Sequence, residues 1–376
     1  MAEPIKNLFN ADLIMTMGKH LAKRHAGFNA ERFADQAVNG LEELEFKQRS
    51  AHILAALEDC LPDDFRQACT ILTSALHPQD DVDLSELGMD DQGIRGWAIM
   101  PMCDYVASAG LHDFDYSMDV LREMTKRMSA EFAVRPFLAS EPERALGHIR
   151  NWSEDSNYHV RRLASEGIRP RLPWGMRLNA FVKDPSPLLP ILETLKDDPS
   201  DYVRRSVANN LNDISKDHPD LVAATARSWL KDRPSANRKR LVRHACRSLI
   251  KAGHRPTLKA LGYRPPALSL ERFTLDRDIV QFGDAIGFSA DIRATAKKPQ
   301  DVIIDYVVHH QKANGTTSPK VFKWKSVRFT PQETVRLERS HAFRPITTRA
   351  YYGGTHAIEI QANGQSLGRR EFTLKM

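Results

Sequence analysis

Two segments of this 376-residue chain carry the same short message. Residues 156–167 read SNYHVRRLASEG and residues 200–211 read SDYVRRSVANNL. Each places a tyrosine, an aliphatic residue and paired arginines at the start of a helical pattern, just after an aspartate, Asp155 or Asp198. Aligning Val160, Val203 and Leu241 gives offsets of 43 and then 38 residues, and the same alignment matches Arg162, Arg205 and Arg243. That period is typical of two-helix HEAT-type repeats, which stack on their neighbours to bury a continuous core and so form a curved solenoid. Two roles suit the arginines. They can tie neighbouring repeats together through the aspartates, or face a polyanion from the concave surface.

The helical pattern extends from Leu8 to about Leu261, with apolar residues at spacings of three and four, as in Phe33, Ala37, Leu41 and Leu44. Turn signals such as HPQDD, DPSP, DDPSD and KDRPSAN punctuate it. At about Tyr263 the period changes. After the Pro-rich YRPPA, the segments IGFSADIRAT, DVIIDYVVHHQ, KVFKWKSVRF, HAIEIQANG and RREFTL alternate with period two, and ANGTT and ANGQS supply Asn-Gly hairpin turns. About seven short strands in roughly a hundred residues fit an immunoglobulin-like β-sandwich, although the Cys…Trp…Cys pattern of antibody domains is absent. The expected organisation is a mainly α solenoid of HEAT-like repeats over 1–262, a Pro-rich linker over 263–270, and an all-β immunoglobulin-like sandwich over 271–376.

The formal net charge of +6 conceals a strong asymmetry. Residues 1–142 hold 13 Lys and Arg against 24 Asp and Glu, a net of −11, whereas the rest hold 41 against 24, a net of +17. One surface, rather than the whole molecule, is therefore suited to a nucleic-acid backbone. Cys60, Cys69, Cys103 and Cys246 are scattered, which indicates buried free thiols and no disulfide framework or cysteine zinc site. No stretch approaches the roughly 20 apolar residues of a membrane span, and no signal peptide is evident, so no membrane partner and a cytoplasmic location are expected. The paired His309 and His310 lie in a strand pattern without H-x-x-x-H spacing, a weak basis for a metal-dependent hydrolase.

The segments EFAVRPFL (Glu131 to Leu138), NYHVRRLASEGIRPRLPW (Asn157 to Trp174) and DYVRRSVANNLNDISKDHP (Asp201 to Pro219) together resemble the AlkC branch of the DNA alkylation-repair glycosylases. The resemblance runs from IKNLFN to the C-terminal sandwich, which the related AlkD branch lacks. It implies a monofunctional glycosylase that holds double-stranded DNA on its repeats. Such an enzyme excises bases alkylated at ring nitrogens, such as 3-methyladenine, without flipping them. No cofactor or metal and a monomeric state are expected. A protein of another class, a non-enzymatic HEAT scaffold binding DNA or a protein partner, explains the repeats and the sandwich equally well.

The chemistry suits such an activity. A 3-methyladenine is already cationic and departs as a neutral base, so positive charge develops on the deoxyribose and no general acid is needed. A carboxylate roughly 4 Å from an oxocarbenium is worth about 4 kcal/mol at an effective dielectric near 20, about a thousandfold in rate. An aromatic face adds on the order of 0.5–2 kcal/mol. By motif position the resemblance implies site roles for Glu131, Glu166, Trp174 and Asp213. Each also has a purely structural reading: a helix-terminal charge, a partner for Arg162, a core anchor and a partner for Lys216. Phosphate contacts are expected among Arg161, Arg162, Arg169, Arg171, Arg204, Arg205, Lys216 and Arg243, with about half of the basic set bracing the repeats through Asp155, Asp198 or Asp201. Asn209 stands where the AlkD branch carries a tryptophan, so an aromatic clamp on that plan is not expected.

Overall fold

The computed structural model describes residues 4–83, 88–347 and 349–376. The chain forms two compact units, Met1–Ile214 and Ser215–Met376. The first is helical. Polar residues start its helices: the side chains of Asn10, Asn29 and Asp64 accept from the backbone N–H groups of Leu13, Arg32 and Gln67, filling donors that the first turn leaves unpaired.

The two repeated segments open the helices Tyr158–Glu166 and Asp201–Ile214, which pack against each other. Val160, Leu163, Val203 and Val207 are fully buried between them and their neighbours. The aspartates before them organise the turns. Asp155 accepts from the Asn157 N–H and Asp198 from the Ser200 N–H, each at 2.8 Å. The other oxygen of each aspartate takes an arginine from the preceding repeat, Arg122 Nε at 2.8 Å for Asp155 and Arg161 Nε at 2.6 Å for Asp198. Arg161 also donates to the carbonyls of Asp155 and Ser156, and Arg204 to those of Asp198 and Pro199. The first arginine of each pair thus holds the turn from which its own helix springs. Arg122 belongs to this ladder but lies in no copy of the VRR segment.

The second unit begins with helices Pro219–Trp229, Ala236–Ala245, Arg247–Lys251 and Arg255–Ala260. Strands follow: β1 Leu268–Leu275, β2 Ile279–Gln281, β3 Ala285–Ala294, β4 Gln300–Gln311, β5 Thr317–Phe329, β6 Thr334–Ala342, β7 Gly354–Ala362 and β8 Gln365–Lys375. They form a three-stranded sheet in the order β1-β3-β6 and a five-stranded sheet in the order β2-β8-β7-β4-β5. Only the short β2 runs parallel to its neighbour. Phe288, Ile292, Ile304, Val308, Phe329 and Phe343 belong to a common core. Both Asn-Gly turns are hairpins. Asn363 and Gly364 have φ of 45° and 72°, the two left-handed residues of a type I′ turn joining β7 to β8.

That second turn also ties the helices to the sheet. A Cβ on Gly364 would lie 2.0 Å from the Gly253 Cα, so the close approach as well as the positive φ requires glycine. Asn363 accepts from the Ile303 N–H at 2.9 Å and donates to the Arg264 carbonyl at 2.8 Å. The Pro-rich stretch of 263–270 therefore lies inside the second unit, and its last three residues already belong to β1. All four cysteines are free; Cys60 is half-buried and the other three are buried. Among the described residues, no helix is long and apolar enough to cross a membrane.

Candidate active site

A cavity of about 310 Å³ opens on the first unit, and its walls come from segments far apart in sequence. Phe46 begins the helix Phe46–Cys60, Trp97 lies in the 3₁₀ turn Gly96–Ala98, Glu131 and Phe132 precede the helix Val134–Ser140, and Tyr202 sits in the first turn of Asp201–Ile214. The irregular segment after Tyr158–Glu166 contributes Arg169, Leu172, Pro173 and Trp174. Its path is set from below. Arg135, fully buried, donates to the carbonyls of Gly167 at 2.9 Å, Arg169 at 2.9 Å and Met176 at 2.5 Å. Burial, then the neighbouring Arg169, pulls the Arg135 pKa down to about 10, which leaves it charged at neutral pH.

Acidic and basic groups alternate along one wall. Arg162 donates to Glu131 and, at 2.7 Å, to Ser129 Oγ, and its other terminal nitrogen lies 3.3 Å from Glu166. Glu166 in turn accepts from Arg169 at 2.7 Å and from Ser206 at 2.6 Å, and Arg169 Nε reaches Asp213 at 2.8 Å. Three carboxylates and two guanidiniums make this chain −1, while Arg135 behind it is committed to backbone carbonyls. Side-chain exposure falls from 17% at Glu131 to 5% at Glu166 and 3% at Asp213. Burial works against the charged form of Glu166, but Arg162 and Arg169 outweigh it and hold its pKa below the ordinary carboxylate range. Burial likewise opposes the charge on Arg162, and Glu131 and Glu166 more than restore it.

Aromatic rings supply further surfaces of the cavity. Phe46 packs on Trp97 and Trp174 with ring centroids 5.3 and 5.8 Å away. Trp174 is 60% exposed at the rim, in a left-handed conformation with φ of 62°, and its carbonyl accepts from Lys47. Tyr202 lies beneath the Arg162 guanidinium, 4.9 Å from the ring centroid, and burial pushes its phenol up to about 12. It stays neutral and offers a π face.

Of the residues singled out from the sequence, Glu131, Glu166, Trp174, Arg162 and Arg169 line this cavity. Asp213 is one ion pair behind it. Arg161 and Arg204 are occupied in the repeat turns, and Arg171 is half-buried. Arg205 is 64% exposed and 3.5 Å from Asp201. Lys216 is exposed on the second unit, where Arg243 donates to the Tyr263 hydroxyl at 2.8 Å. Sequence reasoning missed Phe46, Trp97, Phe132 and Tyr202. Tyr202 had a signal, as the repeated tyrosine of the two opening segments, and Phe132 stands within EFAVRPFL, whereas Phe46 and Trp97 had none. Among the described residues, no group of three or more His, Cys, Asp and Glu is placed to hold a metal ion.

Known proteins are similar to this chain in sequence and fold. Residues 122–249 match the model of the family described as DNA alkylation repair enzyme, and residues 269–376 match that of the C-terminal Ig-like domain of the uncharacterised protein YhaZ. The uncharacterized protein YhaZ of Bacillus subtilis is 36% identical over 363 residues, 96% of each chain. The Pseudomonas fluorescens alkylpurine DNA glycosylase AlkC, solved bound to DNA containing an abasic site analog, is 35% identical and superposes over 100% of both chains with a TM-score of 0.89. With likeness running through helices and sandwich alike, the chain belongs to the AlkC-type family of DNA alkylation repair enzymes.

Proposed function

We propose that this protein is a DNA glycosylase that hydrolyses the N-glycosidic bond of cationic N-alkylated purines, such as 3-methyladenine, in double-stranded DNA. The observation that carries the reading is the carboxylate chain ending at Glu131, its most exposed member, in a cavity that aromatic rings also line. Its net charge of −1 favours a sugar on which positive charge is developing, and the π faces of Trp174 and Tyr202 favour the same charge. Glu131 carries the largest electrostatic role and is the group placed to orient the attacking water. Glu166 and Asp213 act through Arg162 and Arg169, holding Glu131 and its arginine in register.

The two carboxylates that line the cavity are both ion-paired, Glu131 to Arg162 and Glu166, held ionised, to Arg162 and Arg169, and neither is set up as a general acid. The reaction therefore suits leaving groups that depart neutral without protonation, which is the property of a base already cationic through alkylation. The open rim at Trp174 supports excision without extrusion of the base into a closed pocket. The similarity to AlkC, whose structure holds DNA with an abasic site analog, supports duplex DNA as the partner.

The test is base release from duplex DNA carrying methylated purines alongside neutral lesions such as hypoxanthine, with products identified by mass. The reading expects 3-methyladenine to appear and hypoxanthine to stay bound. Equal release of both would mean that leaving-group protonation is supplied after all, and the proposed mechanism would fall.

A further inference from the structure

Trp174 presents its exposed ring from a backbone with φ of 62°, a conformation that is unfavourable for a residue with a Cβ and persists where neighbours hold it. Arg135 ties the carbonyls of Gly167, Arg169 and Met176, on both sides of this tip. The tip itself is held by two consecutive residues at the start of the helix Phe46–Cys60. Phe46 packs on the indole ring, and Lys47 donates to the Trp174 carbonyl, 127 residues away in sequence. One pair of residues thus grips both the ring and the main chain of Trp174.

That pair is anchored in turn. The Glu45 N–H donates to Gln48 Oε1 at 2.9 Å, which closes the first turn of the helix. Arg49, 2% exposed, donates to the carbonyls of Phe9 at 2.8 Å and Leu44 at 3.0 Å. The Lys47 ammonium also lies over the Phe132 ring, 5.1 Å from its centroid, so it meets two residues of the cavity wall. Asp104 senses its charge: burial raises the Asp104 pKa, and Ser50, donating at 3.0 Å, and then Lys47 pull against that rise. Asp104 thereby offsets part of the lysine's charge through space, while the hydrogen bond of Lys47 goes to Trp174.

We propose that Lys47 is a positioning residue for excision, which with Phe46 fixes Trp174 in its left-handed conformation so that the indole face stands where positive charge develops on the sugar. The proposal rests on the glycosylase reading, and Lys47 acts through Trp174. Because the Lys47 side chain is exposed, its replacement leaves the core of the first unit intact. An exposed lysine beside a DNA-binding cavity has one competing use, as a phosphate contact. Kinetics and salt dependence separate the two.

Single-turnover excision of 3-methyladenine by Lys47→Met, Lys47→Arg, Trp174→Ala and Lys47→Met combined with Trp174→Ala tests the proposal. Lys47→Met is expected to slow excision by about three- to tenfold, within the rough scale of one cation–π face, with affinity for DNA holding an abasic-site analogue and its salt slope unchanged. Lys47→Arg keeps a cationic donor and is expected to retain most of the rate. Lys47→Met should add nothing once Trp174 is replaced by alanine, because residues that act as a unit are not additive. A salt slope flattened by roughly 1 would make Lys47 a phosphate contact, and additive losses in the double variant would make it a group acting by itself; either result overturns the proposal. Fluorine NMR of protein labelled with 5-fluorotryptophan, with Trp174→Phe assigning the Trp174 resonance, reads the hold on the ring without any substrate. Lys47→Met is expected to shift or broaden that resonance and to leave those of Trp152, Trp229 and Trp324 in place. If it does so in a protein that releases no 3-methyladenine, the hold on Trp174 stands and the glycosylase reading falls. An unmoved resonance in a protein whose wild type excises 3-methyladenine overturns the positioning role and leaves that reading intact.

Discussion

At the scale of single residues, the alternating chain Glu131–Arg162–Glu166–Arg169–Asp213 separates two kinds of carboxylate. Asp213→Asn withdraws one of the two carboxylates that hold a buried guanidinium. It is expected to lower the melting temperature more than Glu131→Gln does, by an amount corresponding to about 1–3 kcal/mol. Thermal unfolding of the two variants side by side checks the order, and a larger loss for Glu131→Gln would reverse the assignment of working and supporting groups. Trp174→Ala should slow excision by about tenfold, the rough scale of one cation–π face, without a comparable loss of stability since its ring is mostly exposed. The sequence made part of this site legible. Glu131, Glu166 and Trp174 stood in recognisable motifs, but nothing local announced that Phe46, 128 residues before Trp174, would pack on its ring. Such a contact is created by the stacking of repeats, and a periodicity describes one helix face at a time.

At the scale of elements, the paired arginines divide their work. The first of each pair, Arg161 or Arg204, binds the two carbonyls of its own turn, whereas Arg162 enters the cavity and Arg205 stays in solvent. The VRR repeat was visible in the sequence because the turn it braces recurs. The different fates of Arg162 and Arg205 were not, since they depend on whether Glu131 lies opposite. Asp198, 7% exposed, joins Arg161 to the next turn; Asp198→Ala leaves that arginine half-buried without its carboxylate and should cost about 3 kcal/mol, read as a lower melting temperature. The sandwich carries its own pH dependence. Burial first, then nearby cations including Arg349 and Lys320, depresses His310 to about 3 and His341 to about 4, and burial lowers His356 as well. Groups whose folded pKa lies below the unfolded value near 6.5 leave the unfolded chain binding more protons, so stability present above pH 6.5 declines as the pH falls toward 4. Asp305, held up to about 6, works in the opposite direction, but it is one group against three. Melting of the protein between pH 7 and 5, above the range where paired carboxylates titrate, should therefore shift downward, and His310→Leu should flatten the shift. A melting temperature constant over that interval would show that the buried imidazoles are not the acid-sensitive element.

At the scale of the whole molecule, the charge partition read from the sequence, −11 over residues 1–142 and +17 over the remainder, leaves an exposed arginine such as Arg205 as a candidate phosphate contact rather than a brace. Each phosphate contact contributes about −0.9 to the log–log dependence of affinity on salt, so Arg205→Gln should weaken duplex binding and flatten that slope by roughly 1. An unchanged slope would remove Arg205 from the interface. The two architectures were legible from the change of period near Tyr263, while the extent of the second unit was not: Gly253 against Gly364 and Asn363 on Arg264 are contacts of backbone on backbone and side chain on carbonyl, with no hydrophobic pattern to betray them. The central claim is that a carboxylate favours a charged sugar, and single-turnover excision of 3-methyladenine by Glu131→Gln tests it most directly. The account predicts a rate about ten- to a thousandfold below that of the wild-type protein, with binding to DNA holding an uncharged abasic-site analogue nearly unchanged, because the lost interaction belongs to the transition state. An unchanged excision rate, or a loss of rate matched by an equal loss of binding to that analogue, would contradict it.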